Sequence, residues 1–105
     1  NQPSLEKFEK QVKAGGIIII DSSLIKVVPT RKDIRFIPIA SSDIANELGS
    51  MTFATIVLLG CLSQATGCFK RESFEAALRD VLPARHHDKI PGNLAAFDRG
   101  AFFAN

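Results

Sequence analysis

Four isoleucines in a row run into an acid and two hydroxyls in GGIIIIDSS, residues 15–23, and Asp21, Ser22 and Ser23 are the first residues whose types and spacing suit chemistry. In open α/β sheets ligands bind beyond the carboxyl ends of the strands, where such a trio would stand. A second run of like composition, Ser41-Ser42-Asp43, follows RFIPIA. Hydroxyls and helix N-terminal amides at that edge can receive a phosphate or a carboxylate. The plainer use of both runs is local, since Asp and Ser form turns and Ser before a helix is a cap.

Other chemistry-bearing residues form less complete sets. His86-His87-Asp88 invites a metal reading, but adjacent histidines point in different directions and the chain has no third imidazole, so the stretch reads as a solvated connector. Cys61 and Cys68 are too few for a disulfide framework and lack CxxC spacing. On one helix they would lie roughly 10 Å apart along the axis, beyond disulfide reach, so both read as small buried hydrophobes. Cys61 has no basic neighbour in sequence, and no histidine is placed by sequence as a partner for Asp21, so no self-contained nucleophile or acid–base pair emerges. Neither GxGxxG nor GxxxxGK[ST] occurs, and Gly15-Gly16 precedes a strand instead of following one. Lys26, Arg31, Lys32 and Arg35 form a basic segment, either a solvated face or a contact for an anionic ligand or acidic partner.

Alternating elements must position these groups. Pro3-Ser4 ahead of LEKFEKQVK predicts a helix with Leu5, Phe8 and Val12 on one face, ended by Gly15 and Gly16. Residues 17–21 follow as a strand; its isoleucines show no alternation and need cover on both faces, the pattern of a central strand in a parallel sheet. Residues 22–33 read as a loop. DIRFIPIA, residues 33–40, predicts a second strand, which sits at an edge or ends early because Pro38 removes a ladder donor. Ser41 and Ser42 offer caps to a short helix from Asp43 to Leu48, closed by Gly49.

Residues 50–69, SMTFATIVLLGCLSQATGCF, carry no charge, yet their hydroxyls and small residues dilute the hydrophobicity of a membrane span. They predict a buried helix covered on several sides, with Ala54, Gly60 and Ala65 permitting close approach and Gly67 ending it. RESFEAALRDVL predicts another helix with Phe74, Leu78, Val81 and Leu82 inward, stopped by Pro83. ARHHDKIPG is a connector, and NLAAFDRGAFFA predicts a last helix with Leu94, Phe97 and Ala101 aligned. Two strands among five helices leave the sheet short of partners, so further sequence, another subunit, or both must supply them.

Composition narrows the function classes. A chain of 105 residues with 46% hydrophobic and 23% charged residues is one globular domain or part of one. A net charge of +2 is too small for a phosphate-backbone binder, which excludes nucleic acid as the expected partner. No basic segment followed by an apolar one opens the sequence at Asn1, so the expectation is a cytoplasmic protein with no membrane partner.

The order NQPSLEKF, GGIIIIDSSLI, IPIASSDIANELG, an uncharged LLG helix and ESFEAALRDVLP resembles the C-terminal part of the gamma subunit of 2-oxoacid:ferredoxin oxidoreductases. That family includes the pyruvate, 2-oxoglutarate and branched-chain 2-oxoacid enzymes. The resemblance covers nearly the whole chain, and DIANELG followed by LLG is its most specific piece. It implies an α/β fold, a partial Rossmann-like and mainly parallel sheet with flanking helices, in which residues 1–105 are the C-terminal portion of a gamma domain of roughly 180 residues. It also implies a component of an enzyme that decarboxylates a 2-oxoacid, passes electrons to ferredoxin and makes an acyl-CoA.

In such enzymes thiamine diphosphate, with Mg, lies between alpha and beta subunits, and iron-sulfur clusters lie in beta or a ferredoxin-like subunit. Two cysteines cannot supply a cluster's usual four thiolates, so this chain alone binds none of these cofactors. The implied partners are the alpha and beta subunits, ferredoxin through the complex, and a second copy in a homo-dimer. The implied role is support for assembly with a share in the coenzyme A site. Matching positions give Asn1, Gln2, Asp21, Ser22, Ser23, Asn46 and Glu47 as ligand-binding residues, with no catalytic and no metal-binding residue.

Departures from the family pattern are few but local in effect. The glycine-rich GxGGQG turn and the strands that normally precede NQP are not in this sequence, so Asn1 would follow directly on a strand. Ser50 stands where Asn is common, and Lys70 where a Ser often caps the next helix. The alternative from another class is a free-standing homo-oligomeric interaction or regulatory module that buries the residue 50–69 helix against its own copy. A third is a small anion-binding domain built on Ser22, Ser23 and the basic loop.

Overall fold

The computed structural model describes residues 11–23 and 31–104. Two strands, β1 (Ile17–Asp21) and β2 (Arg35–Ile39), are followed by α1 (Ser41–Glu47), α2 (Phe53–Thr66) and α3 (Arg71–Val81). A 3-10 helix, Ala84–Lys89, then leads into α4 (Ile90–Phe102). The class is α/β with a parallel sheet, as expected. The first expected helix lies outside the described residues except for its last few positions, which form turns and bends.

The strands pair in parallel, from Ile17 opposite Arg35 to Asp21 opposite Ile39. Arg35 N–H donates to the Gly16 carbonyl (2.8 Å) and Ser22 N–H to the Ile39 carbonyl (2.9 Å), so the even-numbered backbone groups of β1 meet the odd-numbered ones of β2. Pro38 therefore turns its missing N–H to the outer side of β2, in keeping with an edge strand. Ile37 and Ile39 are buried in the core, and Ile17 and Ile19 pack against it on the same face. All five residues of β1 remain only half-buried, short of the complete cover that four isoleucines predict.

The helical core centres on the crossing of α2 with α4, and glycine makes that crossing possible. A Cβ on Gly60 would stand 1.9 Å from the Phe97 carbonyl oxygen, and one on Gly100 would stand 1.7 Å from that of Val57. Hydrogen in place of Cβ lets the two backbones touch, burying Val57, Cys61, Ala96 and Phe97 around the contact. The close approach expected at Gly60 is thus realised, with Gly100 as its counterpart on the other helix. Gly67, at φ 68°, ends α2 in the left-handed region and donates its N–H to the Ser63 carbonyl at 2.7 Å.

Several expectations need correction. Cys61 is buried, but Cys68 follows the helix stop and is exposed rather than buried. Residues 50–52 precede α2 as a turn, in which the Ser50 hydroxyl accepts the Thr52 N–H at 3.2 Å. α3 buries none of its residues and packs mainly on α4; Phe74 stacks on Phe97 with ring centroids 4.7 Å apart, while Val81 is 79% exposed. The ARHHDK connector coils into the 3-10 helix, and α4 begins at Ile90, with Pro91 in its first turn, rather than at Asn93. No helix among the described residues is long and apolar enough to cross a membrane.

Candidate functional site

The carboxyl ends of both strands meet at the start of α1, and Asp21 ties the three together. Its Oδ1 accepts the N–H of Ser23 at 3.0 Å, a turn closed two residues on, and the N–H of Ser42 at 3.3 Å. The Ser42 hydroxyl donates to Oδ2. Ser23 completes the clasp, its Oγ accepting the Asp43 N–H at 3.2 Å. Burial pushes the Asp21 carboxyl up, but the Ser42 hydroxyl and the Ser23 and Ser42 amides outweigh it and hold the pKa below the usual 3.8.

Ser41 and Ser42 lie inside α1 rather than ahead of it as caps, and the cap position itself belongs to Ala40, which has no side chain to cap with. The carboxylate of Asp21 and the hydroxyl of Ser23, some twenty residues earlier, take that part instead. Two of the amides that could receive a phosphate are therefore already engaged, that of Ser42 by the Asp21 carboxylate and that of Asp43 by the Ser23 hydroxyl. Beside them Ser41 is fully buried, and its hydroxyl has no hydrogen-bond partner among the described residues.

The remaining expected site residues lie apart from this clasp. Asn46 and Glu47 are exposed at the far end of α1, about 10 Å along a seven-residue helix. Glu47 accepts a hydrogen bond from Arg99 of α4 at 2.8 Å. Asn1, Gln2 and Lys26 lie outside the described residues. Arg31 grips Asp33 through two hydrogen bonds of 2.9 and 2.6 Å, and Arg35 reaches the Ala104 carbonyl, so two cations of the basic segment serve internal contacts. His87 Nε2 lies 2.8 Å from the Leu82 carbonyl oxygen, and no group of three or more metal-ligating residues forms among the described residues.

A cavity of about 290 Å³ opens between β1 and α2, lined by Ile17, Ile19, Thr55, Leu58, Leu59 and Leu62. Its position was not legible in advance. The signal for it was the conjunction of a strand without alternation and a helix without charge, which told of missing cover without telling where.

A family model described as pyruvate ferredoxin/flavodoxin oxidoreductase matches residues 1–102. The 2-oxoglutarate synthase subunit KorC of Methanocaldococcus jannaschii is 32% identical over 106 residues, covering 95% of this chain and 53% of that protein. The ketoisovalerate oxidoreductase subunit VorA of Methanothermobacter marburgensis is 33% identical over 107 residues, covering 99% of this chain and 22% of that protein. The chain thus spans about half of the first relative and about a fifth of the second.

Among solved structures, the gamma subunit of the keto/oxoacid ferredoxin oxidoreductase from Geobacter sulfurreducens superposes with a TM-score of 0.80 at 26% identity, over 99% of this chain and 60% of that one. The 2-oxoglutarate:ferredoxin oxidoreductase of Magnetococcus marinus, solved with 2-oxoglutarate, coenzyme A and succinyl-CoA bound, shares the fold with a TM-score of 0.75 at 24% identity, over 99% of this chain and 18% of that one. The strand–helix order, the parallel register and the match across residues 1–102 together make this chain a member of the pyruvate ferredoxin/flavodoxin oxidoreductase family.

Proposed function

We propose that residues 1–105 are the C-terminal part of a gamma-type domain in a cytoplasmic 2-oxoacid:ferredoxin oxidoreductase, where they support assembly of the enzyme. The observation that carries this reading is the family match over residues 1–102, joined to the likeness to a gamma subunit over 99% of the chain. The reaction served is oxidative decarboxylation of a 2-oxoacid to an acyl-CoA with reduction of ferredoxin. Its chemistry belongs to alpha and beta subunits carrying thiamine diphosphate, Mg and iron-sulfur clusters. The residues here do not fit an iron-sulfur cluster: the chain has two cysteines, one of them buried, and the described residues hold no cluster of metal-ligating side chains.

Coenzyme A receives a narrower contribution. With Asp21 holding the Ser42 amide and Ser23 the Asp43 amide, the described residues leave only part of the head of α1 to a phosphate. Asp21, Ser22 and Ser23 are accordingly assigned to a ligand edge that is completed by other parts of the enzyme, while Asn46 and Glu47, at the far end of α1, are assigned to a separate contact, and Asn1 and Gln2 are assigned by family position alone. Affinity purification through a tag on this chain, from its own source, is expected to yield alpha and beta subunits in equal amount with 2-oxoacid-dependent ferredoxin reduction. Recovery of the chain without them, with the whole activity in the unbound fraction, would overturn the proposal.

A further inference from the structure

α3 is held differently from the helices around it. It buries none of its residues, and its inner side chains Phe74 and Leu78 are only half-buried. The residues that flank it, Lys70 and Leu82, are both extended, so the helix hangs between two bends of the chain. Each end of the span is pinned: the Ser63 hydroxyl of α2 donates to the Phe69 carbonyl at 2.6 Å, and His87 Nε2 lies 2.8 Å from the Leu82 carbonyl oxygen. Between the pins Phe74 stacks on Phe97 of α4, and Arg71 donates to both carboxylate oxygens of Asp98 at 2.8 and 3.1 Å. Both side chains of that ion pair are about half exposed, a setting in which such a pair is weak and is screened by salt.

Beneath α3 the α2–α4 crossing is built in the opposite way. Gly60 and Gly100 set backbone on backbone there, around the buried Val57, Cys61 and Ala96. Lifting α3 breaks none of those backbone contacts. It does open a cavity of about 470 Å³ under the head of the helix, which lies between Ser63 and Gly67 of α2, Lys70 and Arg71, and Phe97 and Asp98 of α4. A part of a fold with little buried surface opens at a lower free energy than its core.

We propose that α3 is a strap that swings off α4 as one unit, turning at Lys70 and Leu82, and that Arg71 on Asp98 is its latch. Opening bares the Phe97 ring and the cavity while the α2–α4 crossing stays shut. Latch and hinges belong to this chain alone, so the strap is independent of the gamma-domain reading.

Residue-resolved amide exchange in the native protein, followed against urea and against salt, tests the strap. Off α4 an eleven-residue helix is marginal in water, so its amides exchange in the open form. After correction for intrinsic rates, the amides of residues 75–81 are expected to share one rate, at least about a hundredfold faster than those of Cys61 and Phe97. Low urea should leave that rate nearly unchanged while it speeds exchange in the crossing steeply, because the swing exposes little surface. Salt at about 1 M is expected to quicken exchange in α3 about threefold, and Asp98→Asn should do the same and abolish the salt response. Should Asp98→Asn fail to fold by circular dichroism, the urea and salt dependence of the native chain still decide.

One rate and one urea slope shared by α3 and the crossing overturn the strap. Exchange that advances inward from one end of α3 is fraying and overturns the hinged unit. Exchange in α3 that is indifferent to salt overturns Arg71 on Asp98 as the latch.

Discussion

The two sides of α2 present opposite cases of the same requirement. Toward α4, Gly60 and Gly100 let backbones touch and nothing larger than hydrogen fits. Toward β1, Leu58, Leu59 and Leu62 line an open cavity although they belong to the same uncharged helix. Lack of charge says only that a helix must be covered, while closure depends on whether the chain holds a surface of matching shape. The described residues hold one for the α4 side and leave the β1 side open.

The largest expected effect breaks the closed side. Gly100→Ala drives a Cβ against the Val57 carbonyl, a backbone atom that cannot swing aside, and is expected to cost about 3 kcal/mol, read from the urea midpoint. Next comes the clasp at the end of the open strand. Asp21→Ala strips the acceptor from Ser23 and Ser42 and is expected to remove about 1–2 kcal/mol, with α1 losing protection in amide exchange. Because the folded carboxyl titrates below its ordinary value of 3.8, its contribution is present above that value and fades as pH falls through it toward the lowered one. The Asp21→Ala chain is expected to lose that acid-limb dependence in pH-stepped unfolding.

Smaller effects sharpen the contrast. Leu59→Ser on the open side is expected to change stability of the isolated chain by less than about 1 kcal/mol, while weakening recovery of the assembled enzyme severalfold. Arg99→Ala removes an exposed ion pair with Glu47 and is expected to shift stability by at most about 0.5 kcal/mol, with the loss shrinking further in high salt.

Local signals were the legible ones. Gly67 forecast the end of α2 because a left-handed residue is a property of one position, and the isoleucine run forecast β1 for a similar reason. The strand-end rule placed Asp21, Ser22 and Ser23 beyond the carboxyl end of β1, but it could not say that Asp21 would itself accept the Ser42 amide. That bond joins residues 21 positions apart, and no local pattern encodes it. The spacing of Phe74, Leu78, Val81 and Leu82 predicted an inner face of α3, but the helix buries none of its residues and Val81 is 79% exposed, because spacing carries no information about what lies opposite. Cys68 was misjudged for a related reason: one position beyond the glycine stop, it no longer shares the helix that buries Cys61.

The glycine crossing also sets an order in time. It joins positions about forty residues apart, so chain-closure entropy must be met before that contact gives anything back. α3 lies within the closed loop and buries none of its residues, its Phe74 stacking on Phe97 of α4. A helix with so little buried surface adds little to the closing step, so Phe74→Ala is expected to speed unfolding in stopped-flow measurements while leaving the folding rate nearly unchanged.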